Sequence, residues 1–230
     1  MQLRDALRTT GAVREFDDQL VSDDVLFDIL DDARFAPSGG NRQAWHCIIV
    51  SNAERRERLR DLYLDGWHDY IAHSIAGLIP FSPLASDDDR QRALAQRSAA
   101  EAVSNPSGFA ERLQNSPTLL LVTADLSLLA AVDRDLDRYQ FAGGASLYPF
   151  CWSILLAARE RGLGGVMTTM ATRNEPEVLE LFRVPQSHAL AAVLALGYPK
   201  SSARRLTRRA VHEFTTREVF DGGEFTRPES

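Results

Sequence analysis

Apolar residues recur along this chain at two different spacings, and the spacings alternate. Val25, Leu26, Ile29, Leu30 and Ala33 fall on one face of a helix. Ser22 is placed to cap it, with Asp23 and Asp24 in the first turn, where the helix dipole favours negative charge. Pro37 ends this helix, and the β-branched run His46–Val50 reads as a buried strand. Glu54–Leu64 is a charged amphipathic helix, after which Asp65–Pro83 is irregular. Asp87–Val103 returns to a polar, alanine-rich helix, interrupted by Asn105-Pro106-Ser107-Gly108. Thr118–Thr123 is a second buried strand. Asp133–Tyr139 leads into a long helical segment whose second half, Leu147–Arg161, carries Phe150, Cys151, Ile154, Leu155 and Ala158 as an apolar stripe. Pro149 lies early in that stripe, where proline starts a helix. Gly162–Gly165 closes it, Val166–Thr169 is a third strand, Pro176–Phe182 a short helix and Ala189–Leu196 a fourth strand. A further short helix opens the chain at Gln2–Arg8, and Thr9-Thr10-Gly11 break it.

Strands alternating with helices predict an α+β (α/β) architecture around a central sheet. With no repeat, low-complexity block or linker, residues 1–230 are expected to form one domain. It would carry a variable region at about 65–115 and a basic C-terminal extension at about 200–230.

Composition narrows the function. Apolar residues at 44% and charged residues at 25% are ordinary for a soluble globular protein. A formal net charge of -6 argues against nucleic acid or an anionic membrane as the main partner. Cys47 and Cys151 lie in apolar surroundings without CxxC spacing and read as reduced core residues. The N-terminus lacks the apolar run of a signal peptide, and Ala189–Gly197 is too short to span a bilayer. A cytoplasmic protein is expected. There is no P-loop, nucleophile elbow or zinc-protease helix, and the five histidines show no metal-ligand spacing, so no metal is expected.

One stretch stands apart: Ala-Pro-Ser-Gly-Gly-Asn-Arg-Gln-Ala-Trp at Ala36–Trp45. Gly39 and Gly40 permit close approach of main chain to a ligand. Ser38, Asn41 and Gln43 offer donors and acceptors suited to a flat, heteroatom-edged ring. An ordinary turn before a strand is the alternative. Without a cluster of acid, base or nucleophile, the chain points to an organic cofactor that carries the chemistry.

Pro37-Ser38-Gly39-Gly40-Asn41-Arg42-Gln43-Ala44-Trp45, following Arg14-Glu15-Phe16, resembles the FMN-binding signature of the nitroreductase superfamily. The likeness extends from about Leu7 to Phe214 and is weakest between Asp65 and Asn115. It implies a mostly antiparallel sheet flanked by helices, in a homodimer with shared FMN sites, the segment Gly144–Arg161 packing against the partner subunit. It also implies that NADH or NADPH reduces the flavin and leaves before a small-molecule acceptor takes the electrons. Nitroaromatics, quinones and similar conjugated electrophiles are the acceptors so implied. Arg14 and a C-terminal arginine, Arg208 or else Arg205, would hold the phosphate, while Arg204 and Arg209 read as solvated. Gly11 and Ala12 stand where many members have Arg and Ser, so backbone N–H groups at Gly11, Ala12 and Val13 would contribute more. Pro37, Ser38, Gly39 and Asn41, with Met167, Thr168 and Thr169, would contact the ring, Thr168 or Thr169 near its reactive nitrogen.

Trp67, Tyr70 and Phe81 are either core residues or a stacking surface for substrate. Two alternatives remain open at this level. The threonine-rich Met167-Thr168-Thr169 also resembles the deiodinase branch, so dehalogenation or dehydrogenation of a dedicated substrate is one. The other is a non-catalytic protein that binds or sequesters flavin.

Overall fold

A computed structural model describes residues 1–103, 105, 108–201 and 205–227. Four strands form its sheet: β1 (Trp45–Ile49), β2 (Thr118–Asp125), β3 (Gly164–Thr168) and β4 (His188–Gly197). Their spatial order is β1-β2-β4-β3, and every neighbouring pair is antiparallel. The strand made last thus lies in the middle. β2 and β4 are apolar on both faces because both faces are covered. Leu120, Val122, Leu194 and Leu196 face one core, and Leu119, Leu121, Val193 and Ala195 face the other.

Among the described residues, seven α-helices lie on the sheet or on the helices that cover it: α1 (Leu3–Thr9), α2 (Asp23–Ala33), α3 (Ala53–Ile75), α4 (Asp87–Leu94), α5 (Arg97–Glu101), α6 (Tyr148–Glu160) and α7 (Glu175–Leu181). α2 and α6 pack on the first core, α3 and α7 on the second. Ser22 caps α2 through Val25 N–H, and Pro149 stands in the first turn of α6, as the sequence predicts.

Three expectations are corrected. The helix predicted to end at Leu64 continues as α3 to Ile75, through much of the stretch read as irregular. Its continuation is anchored from outside, because Arg97 of α5 bonds the carboxylates of Asp65 and Asp69. The helix expected over Asp87–Val103 is divided: α4 ends at Leu94 and α5 begins at Arg97, after a turn at Ala95 and Gln96. Of the predicted break beyond it, Pro106 and Ser107 lie outside the described residues.

The third correction concerns residues 126–141, which form turns rather than the start of a long helix, followed by a 3-10 turn at Ala142–Ser146. The buried Asp133 carboxylate accepts Phe141 N–H (2.9 Å), Ala142 N–H (3.1 Å) and Arg138 Nη1 (2.9 Å). The Phe141 amide foremost, these donors hold its carboxyl down from 3.8 to about 2. A depressed carboxylate contributes stability that is complete above its unfolded value and lost as pH falls through its folded one. Wild-type melting temperature is therefore expected to fall more steeply between pH 4 and 2 than that of Asp133→Asn. Parallel slopes in differential scanning calorimetry would contradict this.

Candidate functional site

The residues singled out in the sequence divide between opposite edges of the sheet. At the β3 edge, the segment after α1 runs beside the strand: Val13 N–H donates to Gly165 O (2.9 Å), and Ala12 forms a parallel bridge with Gly165. Phe16 pairs with Pro199 beyond it. Gly11, Ala12, Val13 and Arg14 thereby lie along the strand that ends in Met167 and Thr168, with Thr169 next in the chain. The C-terminal tail comes to the same edge. Leu206 N–H donates to Arg8 O (2.9 Å), and a Cβ on Gly11 would meet Leu206 Cδ2 at 2.9 Å. Arg205 and Arg208 flank this contact and are exposed. Arg209 is exposed as well, with its guanidinium 6.0 Å from the Phe214 ring centre, while Arg204 lies outside the described residues. Thr10 Oγ1 is buried nearby and makes no hydrogen bond to the described residues.

The structure adds Tyr63, which sequence reasoning missed. Its hydroxyl lies 3.2 Å from Thr168 Oγ1, and its ring meets Phe109 edge-on at 6.1 Å. Burial pushes the phenol above the ordinary tyrosine value, while the Thr168 hydrogen bond and the Arg14 charge oppose that shift. Tyr63, Thr168 and Arg14 are one electrostatic neighbourhood. The signal was available: Leu59, Leu62, Tyr63 and Gly66 form the buried face of α3.

The opposite edge holds the Ala36–Trp45 loop, which leads into β1. Gly39 N–H donates to Ser146 Oγ (3.0 Å), and Gln43 N–H donates to Ser38 Oγ (3.0 Å). Gly40 (φ 61°), Asn41 (φ 52°) and Gln43 (φ 51°) all adopt the left-handed region. Two non-glycine residues held there store strain of a kind that clusters at ligand sites. Asn41 is exposed and Ser38 half-buried.

These two sets do not meet within one chain. β1 and β3 are separated by two strands, so three spacings of about 4.8 Å put them about 14 Å apart. α6 adds to this, since it begins beside the Ser146 contact and ends where Arg159 Nε bonds Thr9 Oγ1 (3.4 Å), roughly 20 Å of helix.

A cleft of about 650 Å³ opens beyond the end of β3, with Thr169 and Met170 in its wall. It lies among α3, α4 and the 3-10 turn Met170–Asn174, and Phe81 lines it. Trp67 and Tyr70 do not line it; their rings stack on each other at 5.0 Å, and Trp67 packs against the second core. The thiols of Cys47 and Cys151 are pushed up to about 12 by burial and are inert. Among the described residues no cluster of three His, Cys, Asp or Glu could hold a metal, and no helix is long and apolar enough to cross a membrane.

The model of the Nitroreductase family matches residues 7–198. Nitrobenzene nitroreductase of Ectopseudomonas oleovorans is 24% identical over 220 residues, covering 92% of this chain and 95% of its own. Chloronitrobenzene nitroreductase of Comamonas testosteroni is 25% identical over 225 residues, covering 92% and 95%. The crystal structure of a BluB-like flavoprotein from Clostridium difficile 630 superposes with a TM-score of 0.66 at 21% identity, over 94% of this chain and 98% of that one.

Proposed function

The chain belongs to the nitroreductase family, and from that premise we propose an FMN-dependent oxidoreductase that uses NADH or NADPH to reduce nitroaromatic, quinone or similar conjugated acceptors. The observation that carries this is the β3 edge, where Arg14, the Tyr63–Thr168 hydroxyl pair and the tail meet. Its donor set fits a phosphorylated flavin. Guanidinium forks suit phosphate oxygens, and the unpartnered Thr10 hydroxyl offers a further donor. The Thr168 hydroxyl, which donates to Tyr63 Oη, is suited to negative charge on a reduced ring once its proton turns from Tyr63 toward that ring.

FMN, when bound, supplies the two-electron chemistry that no side chain here provides. Arg14 and Arg208 (or Arg205) neutralise its phosphate, and Tyr63 steadies the Thr168 hydroxyl. Ser38 and Asn41 supply amide and hydroxyl contacts from the opposite edge. The separation of these edges within one chain supports a site completed by two copies, each lending its Ala36–Trp45 loop to the other. We take the functional unit to be a homodimer with one domain per chain, acting on a small-molecule acceptor.

The deciding measurement is a visible spectrum of the purified protein before and after anaerobic NADPH. Flavin bands that bleach, and return with an added quinone, are expected. Bands that persist with either nicotinamide would favour a flavin-sequestering protein. A colourless protein that takes up no added FMN would remove the cofactor reading.

The phosphate assignment has its own test. Arg208→Ala is expected to weaken FMN binding by about 1.5–3 kcal/mol, the loss of one charge-assisted contact. Fluorescence titration of the apoprotein measures this, and unchanged affinity would move the role to Arg205.

A further inference from the structure

The 650 Å³ cleft is within the size range of small-molecule sites, and its chemistry is more specific than a flat apolar slot. Phe81 forms one wall with a backbone φ of 54°, a strained conformation for a bulky residue. The His73 ring lies 4.9 Å from it on one side, and the Arg173 guanidinium lies 5.2 Å from its centre. His73 is itself held, its Nδ1–H donating to Asp69 O at 2.8 Å.

The arrangement of charge decides what such a wall would take. Asp69 is the carboxylate lining the cleft, and its Oδ1 is engaged by Arg97. Its Oδ2 meets Arg173 only at Nε, at 3.4 Å. Among the described residues, the hydrogen bonds of Arg173 use Nε alone, so its Nη1 and Nη2 fork has no protein acceptor. Half of that side chain is exposed. Arg90, from α4, also lines the cleft, and among the described residues its ion pair is a surface one with Asp87, of little strength. A guanidinium steadied on one side by a carboxylate, with its fork unused beside an aromatic wall, matches a planar aromatic carboxylate.

We propose that this cleft binds flat aromatic acceptors through a carboxylate substituent, with Arg173 as the specificity-determining residue and Phe81 as the stacking wall. This rests on the oxidoreductase reading for the word acceptor, though not for the binding itself. Thr169 and Met170, in the same wall, connect the cleft to the end of β3.

The test is equilibrium binding of benzoate and of its neutral isostere benzamide to the purified protein by calorimetry, with and without FMN. Benzoate is expected to bind at least tenfold more tightly, with the preference shrinking as salt is added. Arg173→Gln should bring the two affinities together by weakening benzoate while leaving benzamide unchanged. Arg173→Lys, which keeps charge and loses the fork, should fall between. Equal affinities in the wild type, or a preference that survives Arg173→Gln, would overturn the proposal. With reducible flavin present, 4-nitrobenzoate should show a lower KM than 4-nitrobenzamide, and only in proteins that retain Arg173. A benzoate preference in a protein whose flavin is never reduced would keep the binding site and remove the oxidoreductase reading. Turnover without any preference would do the reverse.

Discussion

Mixing Arg14→Ala chains with Asn41→Ala chains is expected to recover flavin binding that neither variant retains alone. Arg14 lies at the β3 edge and Asn41 in the loop before β1. If each site joins the β3 edge of one copy to the loop of the other, both homodimers lose every site. A mixed dimer of C2 symmetry then has one site damaged twice and one fully intact. Statistical mixing puts half the dimers in this class, so bound FMN should return to about a quarter of wild-type content. Differently tagged chains, co-expressed and purified through both tags, would raise this to about half. Flavin content read from the visible spectrum of each pool gives the answer. Pools that stay colourless in every combination would mean that both residues act within one chain. The two edges would then have to approach each other by a large rearrangement of the sheet.

Gly66→Ala is the second change with a large expected effect, and its sign is not the one helix propensity suggests. In an exposed helix interior this substitution gains about 1 kcal/mol. Gly66, however, is the point where α3 crosses the turn Met170–Asn174. A Cβ there would lie 2.5 Å from Met170 O and 3.1 Å from Arg173 Cγ. A side chain could rotate away from such an overlap, but a backbone carbonyl cannot. Overpacking of this kind costs typically about 1–3 kcal/mol, and more where the backbone must move. A net destabilisation of about 1–2 kcal/mol is expected, seen as a lower urea midpoint with an unchanged slope. A raised midpoint would show that the crossing has slack.

Much of the sheet is legible from local pattern, because Thr118–Thr123 and Ala189–Leu196 are too short and too continuously apolar to be surface helices. Ser22 and Pro149 mark helix starts by their own chemistry. What the sequence conceals is held from a distance. Asp65, Asp69 and their aromatic neighbours look irregular because the partner that accounts for them, Arg97, belongs to another element. Loop 126–141 resembles the approach to a helix until Asp133 is found closing it with Phe141 and Ala142 amides. The candidate residues of the site could be named individually from Arg14, Ser38, Asn41 and Thr168. Their division between two edges could not, since it depends on β4 inserting between β2 and β3. Tyr63 follows the same logic: its place on a buried helix face was readable, but its partner Thr168 was not.

Strand order also has a consequence for the life of the chain before it is complete. During synthesis, β1 and β2 can pair as soon as Asp125 has emerged, but the other edge of β2 must wait for His188–Gly197. At ribosomal rates of about 5–20 residues per second, that wait is roughly 3–15 s. For that time Thr-Leu-Leu-Leu-Val-Thr presents an unpaired and uncharged strand edge, the kind of segment that recruits other chains. The N-terminal segment waits about twice as long, roughly 8–30 s at the same rates, since Ala12 has no partner until Gly165 is made. Nascent chains stalled before residue 188 should therefore be the aggregation-prone species in the cell, and a chaperone would be needed there rather than at the finished fold.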